Sequence, residues 1–169
     1  MLPQIKTILY CTSLGPHAPY VFGYAYSLAK QLDARIIALH VIETLSRKQR
    51  KLLEGYAGQG ELGHMLKIAH DEAARRLPDH MRRRLSSVSG EKDWERLVSE
   101  IIIAEGRSEK RILEIVDSKE ADLVVIGAHT ESSVLEKMIG STARSLVKSC
   151  PVPVLTVQVP SGVDETANI

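Results

Sequence analysis

The residues in this chain best suited to chemistry are small and hydroxylic. Gly140-Ser141-Thr142 opens a stretch that reads as a helix. A helix N-terminus carries about half a positive charge and several unpaired N–H donors, and so attracts phosphate. Glycine lets an anion approach the backbone closely, and two hydroxyls add hydrogen bonds. Ser and Thr are also ordinary capping residues, so this run taken alone serves either purpose. Two further groups end apolar runs, Thr12-Ser13 and Gly127-Ala128-His129-Thr130. Neither standard phosphate fingerprint is present: no GxxxxGK[ST] follows the first apolar run, and Gly15-Pro16 does not make GxGxxG. The six histidines (His17, His40, His64, His70, His80 and His129) show no HExxH or similar ligand spacing, and there is no Gly-x-Ser-x-Gly elbow. With no evident general base, metal cage or activated nucleophile, the expected activity is binding, not catalysis.

The elements that position these groups follow from hydrophobic periodicity. Apolar runs at Ile5–Thr12, Ala34–Ile42, Ser99–Glu105, Asp122–Ala128 and Val152–Val159 predict strands, and their lack of alternation suits strands covered on both faces. Between them, helical spacing predicts helices over His17–Leu32, Leu62–Leu85, Lys110–Lys119 and from Gly140 to about Ser149. Ser108 is the expected cap of the third, and Pro78 should kink or divide the second. The region from Glu43 to Lys92 is the least regular. Strands alternating with helices imply an α/β fold: a doubly wound, five-stranded parallel sheet in the order 3-2-1-4-5, with helices on both faces. In such sheets the ligand crevice lies beyond the carboxyl ends of the strands where the winding reverses. That would bring Thr12-Ser13 opposite Gly127 to Thr130, and His129 is the histidine placed at this crevice. The Ala128–Ile139 connection is long enough to suggest function.

Composition narrows the partners. The chain has 169 residues, with 22 Lys plus Arg against 21 Asp plus Glu, a net charge of +1. That balance lacks the basic footprint of a nucleic-acid binder, and 4% aromatic residues leave little for stacking on single strands. No segment approaches the roughly 18 apolar residues of a membrane span. Cys11 and Cys150 make no CxxC pair, which suits reduced thiols in a cytoplasmic protein. One domain over 1–160 and a flexible tail over 161–169 are expected.

The residues then point to a family. ILYCTSLGPHA, ALHVIE, EGRSEKRILEIVDSKEADLVVIGAH and IGSTARSLVKSCPVPVLTV together resemble the universal stress proteins over roughly Ile5 to Val159. Members of that family that bind ATP carry Gly, two residues, Gly, nine residues, Gly, then Ser or Thr. Here Gly127, Ala128-His129, Thr130, nine residues and Gly140-Ser141-Thr142 keep the spacing, with Thr130 at the second glycine. Ser13 stands where the family commonly has Asp, and Val41 matches the position beside the adenine. The resemblance thus implies a stress-response regulatory protein that binds ATP or a related adenine nucleotide, possible with Mg. The implied site is Thr12, Ser13, Val41, Gly127, His129, Thr130, Gly140, Ser141 and Thr142. It also implies a homodimer through the last strand, and at most weak incidental ATP hydrolysis. The alternative is a nucleotide-independent dimeric interaction module with a degenerate pocket.

Overall fold

The computed structural model describes residues 2–44, 51, 52, 55, 59–86, 94–128 and 139–160. Five strands, β1 (Thr7–Thr12), β2 (Arg35–Glu43), β3 (Val98–Gly106), β4 (Leu123–Gly127) and β5 (Val154–Val157), form one sheet in the order β3-β2-β1-β4-β5. Every pairing is parallel. The helices are α1 (Ala18–Leu32), α2 (Gln59–Ser86), α3 (Trp94–Leu97), α4 (Ser108–Ser118) and α5 (Ser141–Ser149). This is the doubly wound sheet that the alternating pattern predicts.

Alternate side chains of β1 serve two separate cores. Ile8 and Tyr10 pack with Phe22, Ala25, Ala29 and Leu77, contributed by α1 and α2. Leu9 and Cys11 pack on the opposite face with Ile112, Val116 and Leu146, from α4 and α5. Both faces of β1 and the inner part of β2 are thus dry, which explains why their sequences read as unbroken apolar runs. The start of β1 is pinned by Asp122, whose Oδ2 accepts from the N–H groups of Lys6 (2.8 Å) and Thr7 (2.9 Å). Asp122 N–H donates in turn to the Thr7 carbonyl at 2.8 Å, fixing where β4 begins beside β1.

Several local expectations are corrected. Pro78 does not divide the second helix: α2 runs unbroken from Gln59 to Ser86. Leu77 and Ala73, both buried against the sheet, anchor the turn that precedes the proline, so packing offsets the lost backbone bond. Ser108 does not cap α4; the cap position is Arg107, and the Ser108 hydroxyl donates to Glu43 Oε1 at 2.8 Å. β5 is shorter than Val152–Val159, because Pro151 and Pro153 lack amide donors and pairing begins at Val154. β1 starts at Thr7 instead of Ile5, and the short helix α3 has no counterpart in the sequence reading. The tail over 161–169 lies outside the described residues. Among the described residues no helix is long and apolar enough to cross a membrane.

Phe22, fully buried and 5.3 Å from the Tyr10 ring, sits at the centre of the first core. Phe22→Ala should destabilise the protein by about 3–5 kcal/mol. In urea unfolding, this would appear as a lowered midpoint with an unchanged slope.

Candidate functional site

The direction of winding reverses between β1 and β4, parallel neighbours that pair through Cys11↔Ile126 at their carboxyl ends. The segments after these strands diverge, and a cavity of about 330 Å³ opens above them. Thr12, Ser13, Val41, Gly127, Gly140, Ser141 and Thr142 all line it. These are seven of the nine predicted site residues, drawn from β1, β2, β4 and the start of α5. His129 and Thr130 lie outside the described residues, so the structure neither joins them to the site nor separates them from it.

The loop after β1 is tightly held. Leu14 is buried and adopts a left-handed backbone, φ 61°, which is unusual for a branched side chain. Its N–H donates to Thr12 Oγ1 at 3.0 Å, and its carbonyl accepts from the Arg76 guanidinium at 3.2 Å. Those two bonds fix the backbone on both sides of the strained residue and leave Ser13 exposed at the cavity. Gly127 has a packing reason for its identity: a Cβ there would come within 3.3 Å of Val21 Cγ2.

On the other side, Gly140 N–H donates to the Ala128 carbonyl at 2.6 Å, which ties together the two ends of the connection between β4 and α5. Gly140 is the cap residue of α5 and has an ordinary extended backbone, φ −56°. Gly140, which has no side chain, holds the cap position, so Ser141 and Thr142 stand one and two residues beyond it in the first turn. The plain capping role that their residue types allow is therefore not the one adopted. The N–H groups of Ser141, Thr142 and Ala143 have no acceptor within their own helix, and all three residues face the cavity.

The lining also holds residues that were not singled out from the sequence, His40 and Glu43 among them. His40, opposite Thr12 in the β1–β2 register, places Nδ1 2.8 Å from the Thr12 carbonyl. A carbonyl only accepts, so Nδ1 carries the proton of the neutral ring. Burial holds the His40 pKa below its usual 6.5; the bond to Thr12 opposes this shift and the nearby Arg76 charge adds to it. Glu43 is the last residue of β2. Its position at the end of an apolar strand was the available signal, since acidic residues there often meet ligands in doubly wound sheets. Cys11 also lines the cavity, but burial pushes its thiol well above the ordinary range and keeps it protonated.

A doubly wound parallel sheet with an amide-lined cavity at its winding reversal is the arrangement in which α/β folds place their ligand crevices. The family model described as universal stress protein family matches residues 4–158, and the chain belongs to that family. Universal stress protein MJ0577 of Methanocaldococcus jannaschii is 22% identical over 158 residues, covering 94% of this chain and 98% of that protein. The solved structure of UspA from Lactobacillus plantarum is 21% identical, with a TM-score of 0.64, covering 92% of this chain and 99% of that one. A universal stress protein solved in complex with cAMP is 18% identical, with a TM-score of 0.53, covering 92% of this chain and 98% of that one.

A folded His40 that resists protonation gives the protein a pH-dependent stability. Its folded pKa is below 6.5, so the unfolded chain binds more protons as pH falls through this range. Stability is therefore full above about pH 6.5 and declines as pH drops toward and through the lower folded value. In His40→Asn, whose amide still donates to Thr12, urea titrations between about pH 7 and 5 should lose that part of the slope.

Proposed function

We propose that this chain is a small cytoplasmic regulatory protein of the stress response that binds ATP or a related adenine nucleotide in the β1–β4 cavity. One observation carries the reading: a cavity of about 330 Å³ faces the first turn of α5, whose two hydroxyls take no part in capping. Its size lies within the roughly 300–1,000 Å³ of small-molecule sites. Phosphates would take the N–H groups of Ser141, Thr142 and Ala143, with Gly140 allowing close approach. Thr12, Ser13 and Gly127 would line the ribose, and Val41 would pack beside the base. Ser13 keeps a hydroxyl where relatives commonly carry Asp, and it adds no charge to oppose the phosphates. That a family member was solved with cAMP supports an adenine nucleotide as the ligand class.

The same reading makes the protein a binder, with ATP hydrolysis at most incidental. Cys11 is held as the thiol, and the Nδ1 of His40 is engaged by the Thr12 carbonyl. Mg would come with the nucleotide's phosphates: among the described residues no three His, Cys, Asp or Glu side chains gather to hold an ion. Regulation would pass through a homodimer. β5 ends the sheet with one side unpaired, and α5 beside it leaves Val147 59% exposed. A hydrophobic edge of this kind calls for cover, and a two-fold mate supplies it.

Millimolar Mg-ATP should raise the melting temperature in a concentration-dependent way, by about 2.7 kcal/mol of stability at a hundred times Kd. Ser141→Asp should abolish that response without unfolding the protein, because a carboxylate suits a helix N-terminus but repels phosphate. Melting and calorimetry that stay flat with wild type would leave the nucleotide-independent dimeric module as the function. A monomer mass in sedimentation equilibrium would remove the dimer from either account.

A further inference from the structure

Three helices begin at the cavity. At α1 the Ala18 N–H already donates to the Gly15 carbonyl at 3.0 Å, and Pro19 has none to offer. The other two, α4 and α5, differ in charge. At α4 the chain supplies its own anion: Glu43 Oε1 accepts from the Ser108 hydroxyl, 2.8 Å away, and both residues line the cavity. That carboxylate sits by the first turn of α4, where a helix favours negative charge. At the start of α5 no carboxylate lines the cavity among the described residues, and Glu43 is the one acidic side chain in its lining. The cavity is therefore polarised. An anion is welcome at α5 and repelled at α4, so a ligand with one anionic end has a single favourable orientation.

The other end of such a ligand comes to lie along β2. Val41 and Glu43 are two residues apart on that strand, hence on one face and about 7 Å apart along it. Glu43 is the nearer to the mouth. Ser108 occupies one carboxylate oxygen, and among the described residues Oε2 has no partner. An ionised carboxylate only accepts hydrogen bonds. The group it selects must therefore be a donor, and a carbonyl oxygen in the same place would be repelled.

We propose that Glu43, positioned by Ser108, determines base specificity by accepting a hydrogen bond from the exocyclic amino group of a purine held beside Val41. This rests on the nucleotide reading above and extends it to a residue outside the glycine pattern. Ser108 acts on the ligand only through Glu43, and is a positioning residue. The tie between Glu43 and Ser108 also joins β2 to α4, so loss of stability alone would not distinguish ligand selection from scaffolding. A selectivity ratio does.

Calorimetric titrations of the full chain with ATP, 2′-deoxyATP and purine riboside 5′-triphosphate, which lacks the 6-amino group, test this directly. Wild type should bind ATP about tenfold tighter than the desamino analogue, and the ratio of ATP to 2′-deoxyATP affinity should not change when Glu43 is substituted. Glu43→Ala should bring ATP and the desamino analogue to equal affinity. The near-isosteric Glu43→Gln keeps one neutral acceptor and should retain about a threefold preference, and Ser108→Ala should reduce the ratio while leaving Glu43 in place. If wild type binds ATP and the desamino analogue equally, the inference is overturned while the nucleotide reading stands. A Glu43-dependent loss confined to 2′-deoxyATP would overturn it too, by assigning the carboxylate to the ribose. Failure of wild type to bind any of the three overturns both readings.

Discussion

Parallel pairing of β1 on both of its edges is the constraint from which the site follows. β2 and β4 flank it in parallel, so the chain must return across the sheet by a helix before each of them. Those returns are right-handed almost without exception, and a chain that winds outward from a central strand in both directions covers opposite faces. α1 and α2 lie on one face, α4 and α5 on the other. The loops leaving β1 and β4 must therefore part company, and the gap between them is the cavity. Asp122 helps fix this arrangement from the far end, because its carboxylate holds the entry to β1 at the start of β4.

Around that gap the chemistry is mostly backbone and hydroxyl. A half-buried imidazole whose protonation is disfavoured, a protonated thiol and a strained but twice hydrogen-bonded Leu14 give a rigid, weakly charged wall. Against such a wall the few real charges and dipoles set the direction of the field inside the cavity. The start of α5 supplies the positive pole and Glu43 the negative one. Placing them on different elements would let the fold orient an anionic ligand before any side chain moves, lowering the ordering cost of binding.

Strand and helix identity were legible because burial on two faces writes a strong pattern into a sequence. β1, with both faces dry, could only be an apolar run, and α1 could only be amphipathic. Boundaries were less legible: Pro153 shortens β5, and packing of Leu77 carries α2 through Pro78. Local propensity does not contain those outcomes, since each depends on a partner distant in the chain. The site divides in the same way. Glycines and hydroxyls at conspicuous spacing marked Gly127, Gly140, Ser141 and Thr142, whereas His40 looked like an ordinary member of the second apolar run and Glu43 fell just past its end.

By itself, then, the order of residues determined the α/β class, the strand order and the residues that could meet an anion, because hydrophobic period and glycine spacing are local properties. Tertiary structure alone decided that the Ser141 and Thr142 hydroxyls stay out of capping, that Ser108 turns to Glu43, and that His40 keeps its proton on the nitrogen facing Thr12. Each of these is a choice among hydrogen-bond partners, and partners separated by dozens of residues become available only when the sheet brings them within about 3 Å.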